Sequence, residues 1–138
     1  MSRSKSGLFL MELIIAIAFF AVSSAVCVQL FAMAYNLSSR SVGMQMAVMN
    51  AQSAAESFKL TGGDIDSMRY VLQASVIDGR IVAGFDENWN MASYDVRFEM
   101  IVETDTSTSL ATATISVTDN VMGEELYSLT VKRYLGVN

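Results

Sequence analysis

The chain has no proline, no histidine and a single cysteine, and only 17% of its 138 residues are charged. Each shortage removes a class of protein. Average usage would supply about seven prolines in this length, so proline-rich linkers, polyproline motifs and cis-proline turns are excluded. A long helix would run without a proline kink. With no histidine and only Cys27, there is no Cys/His zinc site, no Ser-His or Cys-His pair and no internal disulfide. Bases are scarce as well, nine Lys and Arg against fourteen Asp and Glu, for a net charge of -5. Phosphate binding needs clustered Lys and Arg, so direct nucleic-acid binding is not expected. The length suits one domain with an appendage. The chain is rich only in apolar residues, 52% of the total.

They are unevenly placed. Between Leu8 and Leu37 the only charged side chain is Glu12, and the 22 residues from Leu13 to Ala34 carry none. As a helix, such a run covers about 33 Å, enough to cross a hydrocarbon core of about 30 Å. It predicts a transmembrane helix. Arg3 and Lys5 precede the run and the next bases are Arg40 and Lys59, so the positive-inside rule keeps the N-terminus in the cytoplasm and places the residues beyond Leu37 outside. A cleaved secretory signal has an apolar region of about 7 to 15 residues, roughly half the length of this run. A lipoprotein signal would use Cys27, but Val26 precedes it where a small residue is wanted.

Glu12 needs a reason, because a carboxylate within a span costs on the order of 2 to 3 kcal/mol at depth and is ordinarily partnered. The segment Lys5-Ser6-Gly7-Leu8-Phe9-Leu10-Met11-Glu12-Leu13-Ile14-Ile15 resembles the N-terminal motif of type IV prepilins and pseudopilins. The shared features are a short basic leader ending in glycine, an apolar residue after it, and a glutamate fifth from the new end. The resemblance implies cleavage between Gly7 and Leu8 by a membrane-embedded prepilin peptidase, N-methylation of Leu8, and a register role for Glu12 in filament assembly. It implies as partners other pilin or pseudopilin subunits, the peptidase/methyltransferase, an assembly platform and an ATPase. Leu8 keeps an apolar residue where phenylalanine is commonest. Gln29 stands where many major pilins have a kinking proline, and no glycine lies between Leu8 and Leu37, so an unkinked helix is expected.

The helix is predicted to continue to about Leu60, with Met44, Val48, Ala51, Ala55 and Phe58 as an apolar stripe. Arg40, Gln45, Asn50, Gln52, Glu56 and Lys59 form its polar side, and Thr61-Gly62-Gly63 stops it. Asp64 and Asp66 ahead of Met68, Val71 and Leu72 suggest a short capped helix. From about residue 80 the apolar period becomes two. Tyr94, Val96, Phe98, Met100 and Val102 alternate with charged and other residues, as do Ala111, Ala113, Ile115 and Val117, and then Tyr127, Leu129 and Val131. Residues 80–85 are a candidate edge strand. The links 104–109 and 119–124 read as short polar turns.

The expected fold class is therefore α+β: a long N-terminal helix, half transmembrane and half amphipathic, packed on a three- or four-stranded antiparallel meander. The resemblance implies the same pilin-like layout. The boundaries are a leader over 1–7, a transmembrane and assembly helix over 8–37, and an extracytoplasmic head over 38–138, with helix to 60 and meander over about 80–135. No catalytic group is expected, since Asp95, Glu99 and Glu103 share the solvent face of one predicted strand. No cofactor or metal is expected either; Asp64 with Asp66, and Asp86 with Glu87 and Asn88, read as caps and turns because no glycine-centred calcium loop comes after them. The function expected is that of a structural subunit, a minor pilin or pseudopilin. The alternative is a signal-anchored surface or adhesion protein in which Glu12 has no assembly role.

Overall fold

The computed structural model describes residues 2–136, with side chains from Ser4 onward. The chain divides into two units, residues 1–41 and 42–138. Helix α1 (Ser2–Thr61) runs through the first and into the second. Next come helix α2 (Ile65–Leu72) and strands β1 (Ser75–Ile77), β2 (Arg80–Phe85), β3 (Phe98–Asp105), β4 (Leu110–Asp119) and β5 (Glu124–Tyr134). All five strands form one antiparallel sheet in the order β1-β2-β3-β4-β5. The class is α+β, and the long helix and antiparallel meander are as expected, with one more strand.

Nothing in the first 61 residues interrupts a helix, since they contain no proline and only Gly7 and Gly43. Helix α1 consequently begins at Ser2, ahead of the expected Leu8. It ends where Gly62 turns left-handed (φ 69°) and donates its N–H to the Phe58 carbonyl at 3.0 Å, the αL cap that a residue without Cβ adopts freely. Asp64 then caps α2: its carboxylate accepts from the Ser67 N–H at 3.1 Å and the Ser67 hydroxyl at 2.5 Å. The hydroxyl, and then the backbone N–H, hold Asp64 below its ordinary pKa of 3.8.

In the second unit the sheet presents alternate residues to α1. Ile81, Ala83 and Phe85 of β2, Phe98, Met100 and Val102 of β3, and Ala111, Ala113, Ile115 and Val117 of β4 are buried in one core with Ala47, Ala51, Ala54, Ala55 and Phe58 of α1. Tyr127, Leu129 and Val131 of β5 pack against it half-buried. The helix stripe is rotated from the expected one. Met44 is 47% exposed and Val48 half-buried, while Ala47 and Ala54 take fully buried places. Four alanines and Phe58 make up the helix face that meets the sheet. Phe58 fills the wider space at the helix end.

Two expectations about strands are corrected. Strand β2 is interior to the sheet, because β1 pairs with it outside, Val76 opposite Ile81 and Ile77 opposite Arg80. The turn between them is Asp78-Gly79, both left-handed (φ 52° and 76°), the two-residue hairpin connection that Asp-Gly favours. Strand β3 starts at Phe98 rather than Tyr94. Tyr94 is 90% exposed and Asp95 is left-handed (φ 54°), because this segment turns back over the sheet instead of extending it. The Ala92 N–H bonds to the Gly84 carbonyl at 2.9 Å, and Val96 lies against Gly84. A Cβ at Gly84 would meet the Ala92 carbonyl oxygen at 2.6 Å and Val96 Cγ2 at 2.8 Å.

Candidate processing and assembly site

The predicted site residues lie on one uninterrupted helix. In α1 the residues Gly7, Leu8 and Glu12 succeed one another without a break in helical backbone, so Leu8 and Glu12, four apart, share a face about 6 Å apart along the axis. Leu8 is 68% exposed, and Leu10, Ile14, Phe19, Val22 and Phe31 are likewise exposed. Gly7 has open space around it, with nothing within 4 Å of where a Cβ would stand. Lys5 is exposed in the turn before it; the side chain of Arg3 lies outside the described residues. Glu12 is exposed too and is the only charge between Lys5 and Arg40.

The physical reading of this surface is direct. Among the described residues from Ser4 to Ser41 every side chain is exposed except Ser23, which is half-exposed. A stretch of apolar helix with nothing of its own fold against it is stable only where something else covers it, a bilayer or neighbouring helices. Helix α1 is long and apolar enough to cross a membrane. At Gly7 no side chain stands beside the peptide bond to Leu8, and the space there is open. A hydrolysis there would leave an ammonium on Leu8 one helical turn from the Glu12 carboxylate.

Several carboxylates among the described residues of the head serve a cap, a turn or an ion pair. No group of three or more His, Cys, Asp and Glu among them is placed to hold a metal ion. Asp64 and Asp66 do not converge on a site, since the Asp64 carboxylate is engaged by Ser67. Asp86 accepts from the N–H groups of Asn88 at 2.8 Å and Asn90 at 2.9 Å, and the Asn90 bond leads in holding its pKa below the ordinary value. It shapes the turn after β2. Of the strand carboxylates, Glu103 pairs with Arg80 at 3.2 Å on the exposed face, and Asp95 has left the strand. No protein-family model matches the chain, and no curated protein or solved structure shows significant similarity to it.

One cluster was not anticipated from sequence. Trp89 stacks on Phe98, ring centroids 4.0 Å apart and planes 8° from parallel, and tilts against Phe85 at 5.8 Å. Arg97 lies over the other end of this group, 5.1 Å from the Phe98 ring, and reaches the buried Asp119 at 3.7 Å. Asp119 also accepts the N–H groups of Val121 and Met122. The single tryptophan, within a polar loop otherwise rich in Asn and Asp, was the available signal. Its ring neighbours come from two strands and Asp119 from a third, so spacing alone could not assemble them.

Proposed function

We propose that this chain is a structural subunit of a type IV pilus or a type II secretion-like pseudopilus, in the manner of a minor pilin or pseudopilin. The observation that carries the reading is a coincidence on one helix. A glycine preceded by bases, an apolar residue after it and a lone glutamate four residues further on stand at the head of a charge-free run that the fold leaves uncovered. The α+β layout of the head, a helix laid on an antiparallel meander, agrees with it. In this reading the peptidase cuts between Gly7 and Leu8, the new Leu8 amine is methylated, and the mature chain sits as a single-pass membrane protein with its head outside.

Assembly then uses electrostatics in a dry setting. The Leu8 ammonium and the Glu12 carboxylate are poorly solvated among apolar side chains, so each is best satisfied by a neighbouring subunit staggered along the filament axis. Because both charges lose water in forming the pair, it fixes register more than it adds net stability. Platform and ATPase supply the lift from membrane to filament.

Mass spectrometry of the mature N-terminus tests the proposal. The expected species begins at Leu8 and carries one methyl group, in cells with an active prepilin peptidase. An intact residue 1–7 leader in those cells would sink it. Glu12→Ala separates this function from a signal-anchored surface protein: incorporation into filaments should be lost while membrane insertion and head folding persist.

A further inference from the structure

The two edges of the sheet differ. Strand β1 has three residues, whereas β5 at the opposite edge has 11. Long open edges are ordinarily blunted by a proline, a short strand or a covering segment. Strand β5 contains no proline and is the last in the order. Register fixes which way its backbone groups point. The Leu135 N–H bonds to the Ser109 carbonyl at 2.8 Å, and bonded pairs recur at every second residue of an antiparallel ladder. Arg133, Val131 and Leu129, opposite Ala111, Ala113 and Ile115, therefore bond to β4. The N–H and C=O groups of Ser128, Thr130 and Lys132 point away from the sheet, the donor and acceptor pattern to which a further strand can add.

The side chains say which strand fits there. Tyr127, Leu129 and Val131 stand half-buried against the core, and Ser128, Thr130 and Lys132 are exposed on the other face. The register slips between Val117 and Thr118, so that Tyr127 lies opposite Val117 and Glu125 opposite Thr118. Leu126 is the extra residue of a β-bulge. Beyond it Glu125 shares the exposed face with Lys132, because Thr118 alternates onto the same face of β4 as Thr112, the neighbour of Lys132. On that face β5 is therefore acidic at its start and basic at its end. Laid antiparallel against itself about Leu129, it sets Ser128 opposite Thr130, Tyr127 opposite Val131 and, past the bulge, Glu125 opposite Lys132, on both sides of the axis. Opposite charges directly across a ladder stabilise it and like charges oppose it. An in-register parallel pair would set like charge beside like.

We propose that β5 is a self-recognising edge: the β5 strand of a second copy adds to it antiparallel and joins the two five-stranded sheets into one. Leu129 of each copy meets the other at the two-fold axis on the core face, and the Glu125–Lys132 pairs set the register. A slip of one residue would turn every side chain of the added strand to the wrong face, and a slip of two would part the charges. The inference goes beyond the filament reading and rests on neither leader cleavage nor membrane insertion. A two-fold axis normal to the sheet reverses every element that lies along it, whereas neighbours in a filament share one direction. The pair therefore joins chains that are not neighbours in one filament.

The test uses the full chain in detergent micelles on a Cys27→Ser background, with Trp89 emission confirming that each variant's head is folded. Directly opposed residues of a bonded pair have Cα atoms about 5.5 Å apart, within reach of a disulfide. Under mild oxidation, Ser128→Cys mixed with Thr130→Cys should give several-fold more disulfide-linked dimer than either variant alone. Adding Glu125→Lys, or Lys132→Glu, to both members of the mixture should lower the yield several-fold. Adding both changes together should restore it, since the exchange returns opposite charges to each pair. Equal cross-linking in the mixture and in either variant alone, or none in any sample, would overturn the proposal. A dimer that survives the single charge reversals, as association through α1 in the micelle would, also overturns it, as does a double exchange that fails to restore the yield.

Discussion

Residues 4–41 and residues 42–138 solve opposite problems with the same helix. In the first stretch apolar residues surround the helix and none is buried by the fold; in the second, the helix commits a narrow face to a sheet and keeps Gln52, Glu56 and Lys59 in water. The difference is legible in residue size. The first half carries large exposed aliphatic and aromatic side chains, suited to lipid or to other helices. The head half turns four alanines and Phe58 inward, suited to close approach. An apolar helix is therefore not one kind of object, and its partner is read from whether the apolar residues encircle it or line one face.

The comparison is broken most severely by charging the first half. Phe19→Lys combined with Val22→Lys places two bases in the charge-free run, each costing about 2.5 to 3.5 kcal/mol at the centre of a span. Membrane fractionation should show loss of insertion, while the unfolding of the head within the full chain, followed by Trp89 emission, stays unchanged. The next effect belongs to the second half alone. Phe58→Ala empties the largest fully buried side chain in the core and should lower head stability by about 3 to 5 kcal/mol, read by chemical denaturation, with insertion unaffected.

A smaller effect is expected at Gly84→Ala, where the new methyl would strike the Ala92 carbonyl oxygen. Displacing the segment over the sheet should cost about 1 to 3 kcal/mol and should loosen the Trp89 stack, visible as a change in tryptophan emission. Smallest is Asp64→Ala, which removes the α2 cap and should lower the denaturation midpoint of the head slightly. It also carries a pH signature. The folded pKa of Asp64 is depressed by Ser67, so its contribution is complete above the ordinary value near 3.8 and is lost as pH falls through the lower folded value. The variant and the parent should converge in stability once the pH is below that folded value, and differ at neutral pH.

How much of this was readable beforehand depended on whether the signal was local. The long apolar helix, the Gly62 stop, the Asp64 cap and the alternation in β4 are each set by neighbours within one or two turns, and all stand where the sequence placed them. The Asp78-Gly79 hairpin was equally local but went unread, so β1 was missed and β2 was expected at the edge. The start of β3 was not local. Tyr94 and Val96 continue a period of two, but the chain leaves the sheet there because Gly84 on another strand opens space for the returning segment. The helix stripe shifted for a similar reason: Met44 and Val48 satisfy the helical period as well as Ala47 and Ala54 do, and only the separation of helix and sheet prefers the small ones. For the candidate site, Gly7, Leu8 and Glu12 were picked out by resemblance to a motif, and the structure adds that one unbroken stretch of helix carries all three. The open edge at β5 was not legible, because which strand comes last in a sheet depends on the pairing of all the others.

Sequence by itself determined that this protein has an uncharged helix able to cross a membrane, with a single carboxylate near its start and an α+β head after it. Those properties come from hydropathy, period and caps, which act over a few residues. Tertiary structure decided which helix face meets the sheet, where the third strand begins, how Arg97 and Asp119 hold the last hairpin, and which strands lie at the edges of the sheet. These depend on distances between segments far apart in the chain, and packing at close range, unlike hydropathy, is a property of pairs rather than of single residues.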